Sequence, residues 1–188
     1  RLHLNEQLGR AMAEAEKWGT RCAFMMIDLD RFKAVNDSLG HPVGDRLLGR
    51  VSERLGHLVS DNEVVGRLGG DEFAVVVRDA SDTVRVEKLA QAIIEMLSRP
   101  YEVDAHTLYI GASVGVAIGP RDGRTAEMLI RSADLALYRS KDAGGGVFHG
   151  ARAAARIGAD AVVVTRCSAA ERDTALAPLE ALGLQVVA

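Results

Sequence analysis

The stretch RLGGDEF, residues 67–73, separates two runs of residues that favour β-structure. Apolar, β-branched residues fill 73–77, and a similar segment, 63–68, precedes the glycines. Two such runs on either side of Gly-Gly-Asp are typical of a β-hairpin. Glycine at the turn permits positive φ and the close approach of another backbone or a ligand. The hairpin therefore presents two adjacent carboxylates beside a gap without side chains, which suits a metal ion and a phosphate.

Composition restricts the class of protein. The 188 residues, 48% hydrophobic, suit one globular domain with a sizeable core and room for a partial second unit. The net charge of −3 gives no electrostatic case for nucleic acid or a membrane surface as a partner. Cys22 and Cys167 lack the spacing of a metal site, which predicts two reduced thiols in a cytoplasmic protein. No apolar run reaches the roughly 20 residues of a membrane span, and no signal peptide is visible.

The first residue is Arg1 rather than Met, so we expect the chain to be a piece of a larger protein. A fused sensor domain, or a segment that anchors the full-length protein to a membrane, would then lie outside it. We expect no direct membrane contact from the fragment itself.

Periodicity predicts the order of helices and strands. Apolar residues at helical spacing predict helices over 2–18, 31–39, 45–58, 83–97 and from 125 to the glycines at 144–146. Strands are predicted over 22–27, 63–68, 73–77 and 108–118. Because a hairpin interrupts the alternation, the pattern favours an α+β fold with a mixed sheet flanked by helices over a doubly wound fold.

The last part of the chain, residues 151–188, has the pattern of a β-α-β fragment. Strands are predicted over 161–164 and 184–187, with a helix between them that opens at the capping box SAAE, residues 168–171. This fragment either completes the domain or begins another one.

Two acids are candidates for a metal site. Asp28 follows a buried strand, and Asp71 lies at the hairpin tip beside Glu72. Mg²⁺ prefers oxygen ligands and usually takes one or two carboxylates together with substrate phosphates. If the two strands are neighbours, the carboxylates converge; the alternative is that strand ends carry solvated acids.

Candidate phosphate ligands follow the first acid. Phe32 and Lys33 open the predicted second helix, and the N–H groups at a helix N-terminus attract anions. Lys141 could approach from the last helix. Each lysine alone is equally typical of a solvated surface, and it is the combination with two carboxylates that indicates a phosphate site.

Candidate base ligands flank the loop at 40–44. A carboxylate such as Asp45 can accept from N1–H and N2–H₂ of guanine, while an amide such as Asn36 can donate to O6, a pattern that adenine does not offer. Both residues are also ordinary helix caps. His41, in the same loop, either contacts the nucleotide or bonds to the backbone.

Several motifs in order resemble the GGDEF-domain family, the diguanylate cyclases. DLDRFKAVNDSLGHPVGD at 28–45 resembles the family's nucleotide segment, and 67–73 resembles its signature hairpin. SVGVA at 113–117 and ADLALY at 133–138 resemble its later landmarks. The resemblance implies a GGDEF domain over 1–150, lacking its extreme N-terminal turn, followed at 151–188 by an extension or a truncated further domain. It also implies the fold of polymerase palms and class III nucleotide cyclases, with a central, mostly antiparallel sheet.

The resemblance further implies a reaction and a site. Two GTP molecules are condensed into cyclic di-GMP and two pyrophosphates in an antiparallel homodimer, where the 3′-hydroxyl of each GTP attacks the α-phosphate of the other. The implied cofactor is Mg²⁺ or Mn²⁺, two ions per GTP site, held by Asp28, the Leu29 carbonyl and Asp71. Asp71 and Glu72 are the implied catalytic residues, which assist deprotonation of the hydroxyl. The implied substrate-binding residues are Phe32, Lys33, Asn36, His41, Asp45, Gly69, Gly70 and Lys141.

Two positions depart from the family's pattern. Many members carry an Arg-x-x-Asp product-inhibition site where this chain has SDNE at 60–63, so we predict no useful cyclic di-GMP affinity there. Many also carry an arginine where this chain has Gly145, and the loss of one charged hydrogen bond weakens GTP binding by roughly 1.5–3 kcal/mol. We therefore predict a diguanylate cyclase of reduced activity. The alternatives are a GTP-binding module that regulates a fused or partner domain and a cyclase that makes a monomeric cyclic nucleotide.

Overall fold

The computed structural model describes residues 2–142 and two short strands beyond them. The helices of the described part are α1 Leu2–Trp18, α2 Phe32–Leu39, α3 His41–Leu58, α4 Thr83–Leu97 and α5 Ala126–Asp142. Its strands are β1 Cys22–Asp30, β2 Glu63–Gly69, β3 Glu72–Val77, β4 Tyr101–Val103, β5 His106–Leu108, β6 Gly111–Gly119, β7 Val163–Val164 and β8 Val186–Val187.

The centre of the fold is a four-stranded antiparallel sheet in the order β2-β3-β1-β6. Alternate side chains of a strand point to opposite faces of its sheet. Met25 and Ile27 of β1 therefore join the core that contains α3 and α4, while Phe24 and Met26 pack with α1 and α5. Helices thus cover both faces of the sheet, which confirms the predicted α+β architecture.

A glycine lets α5 lie directly on β6. A Cβ atom at Gly115 would lie 2.2 Å from the carbonyl oxygen of Ala133 and 2.4 Å from the backbone nitrogen of Leu137. Real side chains do not tolerate such distances to backbone atoms, so the contact requires glycine. This close packing holds the C-terminal end of α5, which carries Lys141, over the end of β1.

The predicted starts of α4 and α5 agree with the structure to within one residue, and each of these helices has a side-chain cap at its N-terminus. The Asp82 carboxylate accepts a hydrogen bond from the Arg85 backbone N–H at 3.2 Å and begins α4. The Thr125 hydroxyl accepts from the Met128 N–H, also at 3.2 Å, at the start of α5. Both bonds satisfy donors that the first turn of a helix leaves without intrahelical partners.

Three predicted boundaries are wrong. Strand β1 continues to Asp30 rather than ending at 27, so that Asp28 lies within the strand instead of following it. Helix α3 begins at His41 rather than at 45, because Gly40 turns the chain with a φ of 83° and Pro42 fits the first helical turn, where its missing N–H costs nothing. The single strand predicted over 108–118 is in fact two elements. Its first residue ends the β4–β5 hairpin, which turns at Asp104 with a φ of 53°, and β6 begins separately at Gly111.

The two short strands near the C-terminus, β7 and β8, pair in parallel. They lie within the strands predicted over 161–164 and 184–187. The predicted helix between them and the glycines at 144–146 lie outside the described residues. Among the described helices, none is both long enough and apolar enough to cross a membrane.

Candidate functional site

Asp28 places a buried carboxylate at the end of β1, where it is 9% exposed. Two residues after Met26, its side chain faces α1 and α5, as does Asp30. The Nζ atom of Lys141 on α5 lies 2.5 Å from Asp28 Oδ1. Burial raises the pKa of Asp28, Lys141 opposes that rise, and the nearby charges of Asp71 and Asp30 add to it. The charge of Lys141 therefore does not offset the burial of Asp28 and its acidic neighbours, and a bound cation would stabilise the ionised form of Asp28.

The β2–β3 hairpin brings Asp71 to the same edge of the sheet. Strand β3 pairs with β1 so that Glu72 lies opposite Asp28, and the Leu29 N–H donates to the Asp71 carbonyl at 3.3 Å. Gly70 forms the turn with a φ of 53°, which a glycine adopts without strain. The strands that carry the two acids are thus neighbours, as the metal-site hypothesis requires.

A divalent cation that prefers oxygen ligands fits this edge. Asp28 and Asp71 offer carboxylates, and Leu29 follows Asp28 with a backbone carbonyl. Within residues 2–142, no group of three or more His, Cys, Asp or Glu side chains is placed to hold a metal ion. Mg²⁺ commonly binds with one or two carboxylates and completes its coordination with water and phosphate oxygens. The donors present therefore suit a cation that is shared with a phosphate ligand.

Helix α2 begins immediately after β1 and directs its N-terminus at this edge. Arg31, its N-cap residue, has a left-handed φ of 66°, a conformation that costs energy for a non-glycine residue. The first-turn N–H groups, those of Phe32 and Lys33 among them, have no intrahelical acceptors. The Phe32 ring is buried in the core, whereas the Lys33 side chain is exposed. Helix α2 therefore offers backbone N–H groups and the Lys33 ammonium to an anion, and not the Phe32 ring.

The junction of α2 and α3 brings Asn36 against the first turn of α3. A Cβ atom on Gly44 would lie 1.9 Å from Asn36 Oδ1, so the Asn36 side chain directly contacts the first turn of α3. Asp45, the next residue, is exposed, as is His41. Asn36 follows Phe32 by four positions along the helix, a rise of roughly 6 Å. The candidate base ligands and the candidate phosphate ligands are thus within reach of one nucleotide.

A polar recess of about 610 Å³ is lined by Lys141 and by seven residues that are not among the predicted site residues. Two of the seven are Asp30 and Ser113, and the Ser113 hydroxyl donates to Asp30 at 2.9 Å. The sequence contained a signal for Asp30, because a residue two positions after Asp28 lies on the same face of the strand. It contained no signal for Ser113, whose place depends on the register between β1 and β6.

The segment at 60–63 is closed by its own hydrogen bonds. The Glu63 carboxylate, 7% exposed, accepts from the Ser60 backbone N–H at 2.8 Å and from the Ser60 hydroxyl at 2.5 Å. Arg85 of α4 donates to its other oxygen at 2.6 Å. A ligand at this position would have to displace donors from the chain itself. Gly145, the second departure from the family's pattern, lies outside the described residues.

Comparisons with known proteins agree on one family. The family model for the diguanylate cyclase GGDEF domain matches residues 1–146. The bifunctional diguanylate cyclase/cyclic di-GMP phosphodiesterase MucR of Pseudomonas aeruginosa is 40% identical over 144 residues, which are 77% of this chain and 21% of MucR. The cyclic di-GMP phosphodiesterase NbdA of the same organism is 40% identical over 144 residues, 77% of this chain and 18% of NbdA.

A solved structure agrees as well. The crystal structure of a sensory box/GGDEF family protein from Caulobacter crescentus has a TM-score of 0.72 and 43% identity, covering 77% of this chain and 93% of the other. The fold is accordingly the one that GGDEF domains share with class III nucleotidyl cyclases. The chain spans about a fifth of the length of the two curated relatives. It belongs to the GGDEF-domain family of diguanylate cyclases and their variants.

Proposed function

We propose that this domain is an active diguanylate cyclase that condenses two GTP molecules into cyclic di-GMP and two pyrophosphates. The observation that carries the proposal is the buried Asp28 carboxylate beside the Asp71 turn, with the Lys141 ammonium 2.5 Å away. A buried acid whose pKa is raised by burial and by neighbouring acids is characteristic of a functional site when it lies beside a cleft.

The acidic edge would hold the metal and the phosphates. Asp28, Asp71 and the Leu29 carbonyl would hold Mg²⁺ or Mn²⁺, two ions per GTP site. When bound, the cations neutralise phosphate charge and make the attacking hydroxyl more acidic. Lys33, the first-turn N–H groups of α2 and the backbone at Gly69 and Gly70 bind the triphosphate. Lys141 would then move from the Asp28 carboxylate to a phosphate oxygen.

The other end of α2 would select the base. Asn36 donates to guanine O6, Asp45 accepts from N1–H and N2–H₂, and His41 contacts the ribose side of the nucleotide. A second protomer, arranged antiparallel, supplies the second GTP. Each 3′-oxygen forms a bond to the α-phosphorus of the other GTP while pyrophosphate leaves, and Asp71 with Glu72 assists removal of the hydroxyl proton. We place this chemistry in the cytoplasm, under the control of a fused sensor domain.

A second candidate function is a GTP-binding module that regulates a fused or partner domain. NbdA, which is 40% identical to this chain, is named as a cyclic di-GMP phosphodiesterase. Gly145 also stands where many members of the family carry an arginine that binds phosphate. In this alternative, the domain binds GTP and transmits the bound state without turnover.

A product assay separates the two candidates. The domain is fused to a parallel coiled coil that holds two copies together, incubated with GTP and Mg²⁺, and the products are identified by mass spectrometry. The proposal predicts cyclic di-GMP and pyrophosphate in a 1:2 ratio. Tight GTP binding without product would favour the regulatory module. A monomeric cyclic nucleotide would indicate an intramolecular cyclase instead.

A further inference from the structure

The amide of Asn36 packs against the first turn of α3. Its Oδ1 atom is buried and has no hydrogen-bond partner among the described residues. This oxygen lies against Gly44, in the first turn of α3, where the positive end of the helix dipole creates a positive potential. That potential favours the oxygen over the amide NH₂ at this position. With Oδ1 turned inward, the group left to face a ligand is the Nδ2 donor.

Gly44 is the residue that permits this contact. A Cβ atom there would lie 1.9 Å from Asn36 Oδ1 and 3.0 Å from its Cγ, whereas ordinary contacts begin at 3.4 Å. The same Cβ would lie 3.3 Å from Cζ of Phe32, whose ring is packed in the core. Helix α3 therefore cannot relieve the clash of an added methyl group by shifting it toward Phe32. The methyl group has to push the Asn36 amide away from α3 by about 1.5 Å or more, or move the helix itself.

We propose that Gly44 is a specificity-determining position, which sets the Asn36 amide at the distance and orientation needed to donate to the 6-oxo group of guanine. This inference rests on the proposed binding of GTP. The next residue, Asp45, lies on the same helical turn and is the proposed acceptor for N1–H and N2–H₂ of the base. An adenine would present its own amino donor to Asn36 Nδ2, and two donors repel.

The test compares GTP with 6-thio-GTP, which keeps N1–H and N2–H₂ and replaces O6 by sulfur, a weaker acceptor. Dissociation constants are measured by calorimetry in Ca²⁺, so that the nucleotides are bound but turnover is suppressed. Wild type should prefer GTP by about five- to tenfold, the value of one hydrogen bond. Gly44→Ala should lower this ratio to near 1 by weakening GTP binding while leaving 6-thio-GTP binding nearly unchanged.

Gly49→Ala is the matched control. It lies on the same helix, and a Cβ there meets nothing within 4 Å, so it should keep the wild-type ratio. A Gly44→Ala protein that folds and keeps the wild-type ratio would overturn the proposal. Equal losses for the two nucleotides would also overturn it, because they would indicate general damage to the site.

Thermal unfolding of a double variant covers the case in which Gly44→Ala does not fold. Asn36→Ala removes the two nearest atoms, so Gly44→Ala should cost much less stability in the Asn36→Ala background than in wild type. Equal costs in the two backgrounds would contradict the contact between the two residues. A wild-type protein that binds no GTP would refute the proposed function, whereas this unfolding comparison would still report on the contact.

Discussion

Asp28 and Glu63 are two buried carboxylates, and the fold surrounds them differently. Glu63 accepts hydrogen bonds from Ser60 and Arg85, and these donors satisfy both of its oxygens. The Lys141 ammonium contacts the Asp28 carboxylate, but the other charged groups close to Asp28 are two acids, Asp30 and Asp71. A buried charge that is fully hydrogen-bonded stabilises its surroundings, whereas one that faces other acids is costly until a cation arrives. This difference indicates that Glu63 is a structural acid, and it supports the proposal that Asp28 binds a cation.

The largest expected effect is the loss of turnover in Asp28→Asn. If Asp28 binds the metal as proposed, its removal forfeits several kcal/mol of transition-state stabilisation, so the rate of cyclic di-GMP formation should fall at least about 100-fold. Asp71→Ala should behave alike. Asp134→Asn, an exposed acid on α5, is the control and should keep the wild-type rate. Initial rates with GTP and Mg²⁺ measure the effect, and retained activity in Asp71→Ala would show that the hairpin is structural.

Glu63→Gln should lower stability but not turnover, which is the opposite of the result expected for Asp28→Asn. It loses charged hydrogen bonds to Ser60 and Arg85, so the free energy of unfolding should fall by about 2 kcal/mol while the rate per folded molecule stays within about twofold. Asp28→Asn should not lower the free energy of unfolding, because the fold already favours the neutral form of that side chain. Urea unfolding of metal-free protein measures both. Similar stability losses in the two variants would remove the distinction between the acids.

Lys141→Met should show the competition between the lysine and a metal ion for Asp28. Without the ammonium 2.5 Å from Asp28, the metal affinity of the nucleotide-free protein should rise by about threefold, the scale of a partly exposed ion pair. The affinity for GTP should fall, since a phosphate ligand is lost. Electron paramagnetic resonance titration with Mn²⁺ measures the first change. A weaker affinity for Mn²⁺ in Lys141→Met would show that the lysine does not compete for this carboxylate.

The pH dependence of stability should differ between wild type and Asp28→Asn. The folded protein binds the Asp28 proton more tightly than the unfolded chain does, because burial raises the pKa above its ordinary value of 3.8. Wild type should therefore lose stability relative to Asp28→Asn as the pH rises from 3.8 through the raised pKa, and the difference should level off above it. Chemical unfolding at a series of pH values in the presence of a chelator tests this. If wild type instead gained stability relative to Asp28→Asn as the pH rises, the raised pKa could not belong to Asp28.

The smallest expected effect concerns product inhibition. Since Ser60 and Arg85 already occupy the Glu63 carboxylate, micromolar cyclic di-GMP should leave the rate nearly unchanged. Initial rates over a range of added cyclic di-GMP measure it. Strong noncompetitive inhibition would mean that the ligand displaces these donors or binds elsewhere.

Much of the fold could be predicted from the sequence because its signals are local. The hairpin at Gly70, the buried strand β1 and most helices follow from glycines, periodicity and caps. Strands β4 and β5 could not be predicted, since three residues are too few to show an alternation. The additional contacts of the site are also non-local. Ser113 reaches Asp30 across 83 positions in the chain, and that pairing depends on strand register.

The most direct test is a side-by-side product assay of coiled-coil dimers of wild type, Asp28→Asn and Glu63→Gln, each with GTP and Mg²⁺ at a temperature where all three are folded. We expect cyclic di-GMP from wild type and Glu63→Gln and almost none from Asp28→Asn. Equal product from Asp28→Asn and wild type, or GTP binding by wild type without any cyclic di-GMP, would contradict this expectation.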